Sequence, residues 1–361
     1  MQSLYIHPDI TQAETLPASF YTDAAVFEAL KEKVFAQSWL WIGDESLVPL
    51  QNTVHPFILL DNFIGEPMIL AKDGKDQITC CTNVCTHRGN IVVHNPGRSK
   101  GLLCNYHGRR FSLDGRFKSM PEFKEAKNFP RPCDDLHSFP VGQWGPFLFT
   151  ALDPGFEFSE LINLMNQRVG FLPLHEFKLN EKLSKDYLVN CHWALYCDNY
   201  LEGFHIPFVH EDLNKTLDYG EYATETYEHA VLQIGYSSGG DEVFDLPERH
   251  IDYGKHVAAY YYWVFPNMMF NFYPWGLSVN IVRPISMNRT RVSFISYVYD
   301  EQKLNAGAGA LLDKVEREDE FVVEGVHKGL QSRFYTTGRF SPSREQGVHH
   351  FHRLLATCMS Q

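Results

Sequence analysis

Cys85-Thr86-His87-Arg88-Gly89 and Cys104-Asn105-Tyr106-His107-Gly108 are the two stretches that decide the fold. Each delivers one thiol and one imidazole, and sixteen residues separate His87 from Cys104. Two thiolates and two imidazoles on two short loops suit a metal centre. Zinc accepts a Cys2His2 set. So does a [2Fe–2S] cluster with two cysteines on one iron and two histidines on the other. A zinc finger usually pairs Cys with Cys and His with His. Here each loop supplies one of each, which favours the cluster. Gly89 and Gly108 close the loops where backbone must approach sulfur.

The surroundings read as β-structure. Short runs at Pro56–Leu60, Met68–Ala71, Gln77–Cys81 and Arg109–Ser112 alternate with Gly, Pro and Asn-Asp clusters. Asp114-Gly115 between Phe111 and Phe117 is a hairpin signal. We read residues 38–150 as a small all-β domain. Residues 1–37 read as an arm and one helix, with Thr22 as its cap, Asp23 in its first turn, and Phe27, Leu30 and Val34 at helical spacing. After Asp153-Pro154-Gly155 the pattern changes. Strand-like runs at Tyr187–Trp193, Tyr260–Phe265, Met268–Tyr273, Leu277–Pro284 and Arg291–Tyr299 are flanked by helical segments near Asp198–Phe204 and Leu311–Phe334. The expected class is α+β, with residues 151–361 forming an antiparallel sheet with flanking helices.

The chain has 361 residues, which at about 150 residues per domain gives two domains. Its net charge is −12, which argues against nucleic acid as a partner, because a phosphate-binding face needs clustered Lys and Arg. No apolar run is long enough to span a membrane. The first residues lack a basic and apolar leader, and eight cysteines without an export signal read as reduced thiols or metal ligands. The expected location is therefore the cytoplasm. Asn305–Ala310, rich in Gly and Ala, lacks the βα turn of a nucleotide loop and reads as helix lead-in. No nicotinamide or flavin site is evident.

The two loops resemble the cluster-binding loops of Rieske proteins, specifically those of ring-hydroxylating-type oxygenase α subunits. The resemblance implies that Cys85, His87, Cys104 and His107 hold the [2Fe–2S] cluster. Asn105 and Arg109 stand where that family more often has Pro and Trp, which implies a change in the surface where an electron donor docks.

A second constellation follows at Asp198-Asn199-Tyr200-Leu201-Glu202-Gly203-Phe204-His205-Ile206-Pro207-Phe208-Val209-His210. Glu202 and His205, three apart, share a helical face, and Pro207 ends or kinks that helix so that His210 returns toward His205. Two neutral imidazoles in an aromatic setting suit a mononuclear Fe(II) site, which wants one carboxylate. Asp319 falls on the apolar stripe Leu312, Val315, Val322, Val323 and Val326, where metal coordination would offset the cost of a buried charge. Asp198 and Asn199 read as groups that orient the iron-site helix or its imidazoles. His349, His350 and His352 read as a surface helix end.

This motif, with Glu318-Asp319, resembles the iron site of Rieske oxygenase catalytic domains, a helix-grip or START-like fold. His205, His210 and Asp319 are then the iron ligands. Glu202 resembles the choline, glycine-betaine and carnitine branch, where the corresponding carboxylate links a Rieske histidine, here His107, to an iron histidine of an adjacent subunit. The resemblance implies one Fe(II) per subunit, a homotrimer, and electrons from NAD(P)H and flavin through a separate reductase or ferredoxin. The expected activity is hydroxylation of a small quaternary ammonium or alkylamine compound with O2, with possible N-demethylation or C–N cleavage. A monooxygenase is favoured over a dioxygenase. The aromatic stretch Tyr260–Trp275 could bind such a cation by cation–π contact, with Trp263, Phe265 and Tyr273 as candidates. The alternatives are an aromatic-ring or O-demethylating oxygenase, a Rieske electron-transfer protein, and a zinc-stabilised structural protein.

Overall fold

The computed structural model describes residues 4–210, 220–237, 239, 242–304 and 312–360. The chain divides into two compact units, one formed by residues 36–155 and the other by 1–35 with 156–361.

The second unit begins with helices α1 (Ala18–Thr22) and α2 (Ala24–Leu30). Asp23, not Thr22, caps α2, its carboxylate accepting from Ala25 N at 2.8 Å. An Asp oxygen reaches the second helical amide more readily than a Thr that is itself the last residue of the preceding helix. Phe27, Leu30 and Val34 are buried, as their spacing predicts.

Residues 36–155 form three small antiparallel sheets. The strands are β1 (Leu40–Asp44), β2 (Thr53–Leu59), β3 (Glu66–Lys72), β4 (Ile78–Thr82), β5 (Gly97–Arg98), β6 (Leu102–Leu103), β7 (Arg110–Phe111), β8 (Phe117–Ser119), β9 (Ser138–Phe139), β10 (Val141–Trp144) and β11 (Phe147–Thr150). Their orders are β5-β2-β3-β4-β9, β6-β7-β8 and β1-β11-β10. The Asp114-Gly115 turn joins β7 to β8 as read. Cys85 follows β4, and Cys104–His107 connects β6 to β7. Both thiols sit in one apolar core with Ile69, Val92, Leu102 and Phe111.

The larger unit continues with α3 (Phe158–Val169), β12 (Lys178–Leu179), β13 (Lys185–Val189), α4 (Trp193–Tyr200), α5 (Ile206–Val209), β14 (Ala223–Tyr227), β15 (Ala230–Tyr236), β16 (Val257–Val264), β17 (Met268–Tyr273), β18 (Gly276–Ser286), β19 (Arg289–Val298), α6 (Leu312–Gly329) and α7 (Gln346–Ser360). The strands make one antiparallel sheet, β12-β19-β18-β17-β16-β15-β14, with β13 also paired to β19. Tyr187–Trp193 is thus not all strand. The strand stops at Val189 and Trp193 opens α4, His192 accepting from Ala194 N as its cap. Asn305–Ala310 lies outside the described residues.

Helices α4, α6 and α7 cover the sheet. Trp193, on α4, and Trp263, on β16, are both fully buried and meet Phe351 of α7 edge-on at 5.9 and 5.0 Å between ring centres. Such edge-on packing adds to the apolar burial that holds α4 and α7 on the sheet. At its start α7 comes so close to the end of α4 that a Cβ on Gly347 would lie 2.3 Å from the Leu201 carbonyl oxygen. Gly347→Ala should therefore lower the stability of this unit by about 1–3 kcal/mol, read as a lower urea midpoint. An unchanged midpoint would mean that α7 has room to retreat.

Candidate active site

The cluster loops are built as a matched pair. Gly89 N donates to Cys85 O at 2.9 Å and Gly108 N to Cys104 O at 3.0 Å. Cys85 N donates to Asn90 O, and Cys104 N to Arg109 O. Gly89 and Gly108 have φ of +70° and +76°, the left-handed conformation that a side chain would strain. Cys85 and Cys104 are buried, whereas His107 is exposed and His87 half-buried, their rings 4.8 Å apart. Burial and the positive neighbours His107, Arg109 and Arg88 hold the His87 pKa down, keeping the imidazole neutral for a metal. Asn90 Nδ2 donates toward Cys104 Sγ at 3.6 Å. Buried thiols, outward imidazoles and amide donors at sulfur fit a [2Fe–2S] cluster.

Arg109 does not sit on a docking surface. It is 2% exposed, its guanidinium lying against Phe111, Phe117 and Phe129 and pairing with Asp134 at 2.8 Å. The Asp134 carbonyl accepts from Arg109 on one loop and from Thr86 Oγ1 on the other, so this residue ties the two loops together. Asn105 is exposed.

The second constellation lies at a break in the helix. Helix α4 ends at Tyr200, so Glu202 and His205 lie on a turn and not on a continuous helical face. Pro207 does not end a helix. It starts α5, in the first turn where its missing N–H costs nothing, with His205 and His210 flanking that single turn. The anticipated return of His210 is real: the two imidazole centres are 5.1 Å apart.

Both rings turn Nε2 toward Asp319. His210 Nε2 is 3.0 Å and His205 Nε2 3.6 Å from Asp319 Oδ1. One donor atom from each of His205, His210 and Asp319 lies within 4.8 Å of the others. Each imidazole is held from behind at Nδ1, His205 by Glu202 Oε1 at 2.6 Å and His210 by Glu318 Oε2 at 2.7 Å. Glu202 also accepts from the backbone N–H groups of Phe204 and His205. Asn199 Nδ2 donates to Asp319 Oδ1 at 2.7 Å. Burial disfavours a charged His210, but Asp319 and Glu318 outweigh it and raise its pKa. Two imidazoles and a carboxylate with their far atoms fixed are the donor set of a mononuclear Fe(II) site. Glu318 as the partner of His210 was not legible from the pattern, since α6 had to be placed first.

Asp319 faces inward, but the stripe differs from the apolar one. Glu316, Val323 and His327 are the buried positions on α6, whereas Val326 is 45% exposed. The side chain of Leu312 lies outside the described residues.

The trio opens into a cavity of about 120 Å³ walled by Tyr196, Tyr200, Tyr222, Tyr261, Tyr273 and Phe294, with Gln233, Asn271, Asn280 and Glu316 among them. Tyr273 is therefore in the wall. Trp263 and Phe265 are not. Trp263 shares a sheet face with Tyr261 but sits two residues further along, where Phe351 covers it, and Phe265 packs edge-on to Trp263. Tyr261 and Tyr222 were missed, although Tyr261 lay in the stretch singled out.

Asp198 touches none of the three. It accepts from Tyr21 Oη at 2.8 Å and pairs with His352 Nε2 at 2.8 Å, linking α1 and α7 to α4. His349 and His352 are buried rather than on a surface helix end, bonded to His7 O and to Asp198. They close α7 onto the amino-terminal arm, and the burial of that arm is what covers them.

Comparison with known proteins gives a Rieske [2Fe–2S] domain at residues 38–130 and a ring-hydroxylating alpha subunit (catalytic domain) at 175–361. Chloroplastic choline monooxygenase of Arabidopsis thaliana is 29% identical over 368 residues, covering 96% of this chain and 83% of that protein. The carnitine monooxygenase oxygenase subunit of Escherichia coli (strain K12) is 28% identical over 361 residues, covering 96% and 94%. The solved structure of a quaternary ammonium Rieske monooxygenase, described for carnitine oxidation by gut microbiota and inter-subunit electron transfer, has a TM-score of 0.77 at 24% identity and covers 98% of this chain and 96% of its own. Naphthalene 1,2-dioxygenase with indole bound has a TM-score of 0.72 at 17% identity, covering 96% and 92%. At these identities the two structures show a shared fold.

Asp198→Ala should cost about 1–3 kcal/mol by leaving Tyr21 and His352 without their acceptor. Metal content at the His205–His210–Asp319 trio should stay unchanged. Loss of that metal at normal stability would instead place Asp198 with the trio.

Proposed function

The chain belongs to the family of ring-hydroxylating alpha subunits, and from that premise we propose that it is the oxygenase component that hydroxylates a small quaternary ammonium or alkylamine compound, as a monooxygenase. The observation that carries this is the trio His205, His210 and Asp319, braced by Glu202 and Glu318 and opening on an aromatic-walled cavity. The choline and carnitine monooxygenases among its relatives support the substrate class.

In this reading Cys85, His87, Cys104 and His107 hold the cluster, and His205, His210 and Asp319 hold the iron. When bound, the two centres supply one-electron transfer and the activation of O2. His205, His210 and Asp319 would hold the metal beside the aromatic-walled cavity that would take the substrate. The work of the chain itself is positional. Glu202 and Glu318 fix each imidazole in the tautomer that presents Nε2, and Asn199 fixes the Asp319 carboxylate. The tyrosine faces hold a cation, at about 0.5–2 kcal/mol per contact. Oxidation of an N-methyl group consumes O2, two electrons and two protons. It yields water and a carbinolamine, which collapses to formaldehyde and the demethylated amine.

The electrons come from NAD(P)H through a separate reductase or ferredoxin. We place the protein in the cytoplasm as a homotrimer, in which Glu202 links His205 to His107 of the adjacent subunit. Among the described residues no helix is long and apolar enough to cross a membrane.

Asp319→Ala should lose the mononuclear iron and keep the cluster spectrum; full iron stoichiometry would remove Asp319 from the ligand set. Glu202→Gln should keep both metals and slow cluster-to-iron electron transfer by at least about tenfold, read by rapid-mixing absorbance of the cluster. The function itself is tested by a single turnover. The protein, loaded with both centres and chemically reduced, meets O2 with choline, betaines, carnitine, aromatic acids or methoxyarenes, and products are read by mass spectrometry. Hydroxylated or demethylated amine is expected. Product from the aromatic compounds alone would overturn the substrate class.

A further inference from the structure

Glu316 sits on α6 one turn before Asp319 and lines the same cavity. It is 2% exposed. Tyr196 donates its hydroxyl to Oε2, while Oε1 is buried without a hydrogen-bond partner among the described residues. A carboxylate in that position is costly unless something compensates its charge. No Lys or Arg among the described residues pairs with it: Lys314 and Arg317 pair with Glu318 and Glu320 instead, and Arg317 acts on Glu316 only as a charge without contact. The other carboxylates of the cavity wall are engaged, Glu202 by His205 and Asp319 by the two imidazoles and Asn199. Gln233 presents a second buried oxygen, Oε1, also without a partner among the described residues, since its Nε2 donates to Tyr200 O.

We propose that Glu316 is the counter-charge for the cationic nitrogen of the substrate, the aromatic wall supplying contact and Glu316 supplying the charge that selects a cation over a neutral compound of equal shape. This rests on the cation-oxidising function proposed above and names the residue that reads the charge. A quaternary nitrogen needs no hydrogen bond, so an anion reached through the wall serves it at close range in a poorly solvated site. Burial pushes the Glu316 carboxyl well above the usual carboxylate range against the Tyr196 hydrogen bond, and Asp319 and Glu320 add to the rise. A cation in the cavity acts in the opposite sense.

The test compares binding of choline with that of 3,3-dimethylbutan-1-ol, its neutral carbon isostere, by isothermal titration of the protein with both iron centres loaded and no reductase present. The wild-type protein should prefer choline by about tenfold or more. Glu316→Gln, with iron content and cluster absorbance unchanged, should bring the two affinities within about threefold by weakening choline alone. If the variant keeps the wild-type preference, Glu316 is not the counter-charge and the proposed function stands. If the wild-type protein itself shows no preference, the cation reading fails and this inference with it. Should Glu316→Gln not fold, Glu316→Asp decides: the charge drawn back by one methylene must weaken choline several-fold and leave the isostere alone. Equal loss for both ligands would overturn the proposal.

Discussion

One carboxylate facing two imidazoles organises the larger unit of this protein. Asp319 Oδ1 takes Asn199 Nδ2 at 2.7 Å and faces both His205 Nε2 and His210 Nε2. That geometry requires α6 to lie over the end of α4, and α4 to stop at Tyr200 so that the chain can turn twice, once at Glu202 and once through the single turn of α5. The close approach of Gly347 to Leu201, and the Asp198 links to Tyr21 and His352, hold the same turn from the other side. Much of the packing of the unit thus serves to keep three donor atoms within 4.8 Å of one another.

What the sequence made legible follows from how local each signal is. The two cluster loops are self-contained motifs, and their thiols and imidazoles lie where the spacing puts them. Strands such as Met268–Tyr273 carry their own pattern and agree to the residue. The trio was legible because His205 and His210 share one short stretch and Asp319 falls on a helical stripe. What failed depended on distant partners. Glu318 braces His210 across 108 residues, and Asp198 meets a histidine 154 residues away. The α6 stripe was read as valine-rich because apolar residues normally mark the buried face. Here the buried face carries Glu316 and Asp319, and Val326 is left in solvent.

Arg109 shows the same limit in the smaller unit. Read alone, an arginine in a loop belongs to the surface. Three phenylalanines and Asp134 give it a buried place instead, and the Asp134 carbonyl joins it to Thr86 on the other cluster loop. The substitution therefore changes how the two loops are clamped, and leaves Asn105 and Tyr106 as the exposed part of that loop.

The charge arrangement on α6 follows from these placements. Within five residues it carries Glu316, Glu318, Asp319 and Glu320. Its lysine and arginine neighbours pair with Glu318 and Glu320. Glu316 and Asp319 face inward without a Lys or Arg among their described partners. Two inward carboxyls on adjacent turns disfavour each other's ionisation in a poorly solvated site, as the raised pKa of Glu316 reflects, and positive charge supplied from elsewhere acts in the opposite sense. A divalent metal at Asp319 supplies it on one side. A cation in the tyrosine-walled cavity beside Glu316 supplies it on the other. The same electrostatic constraint that favours an iron site thus also favours a positively charged substrate next to it.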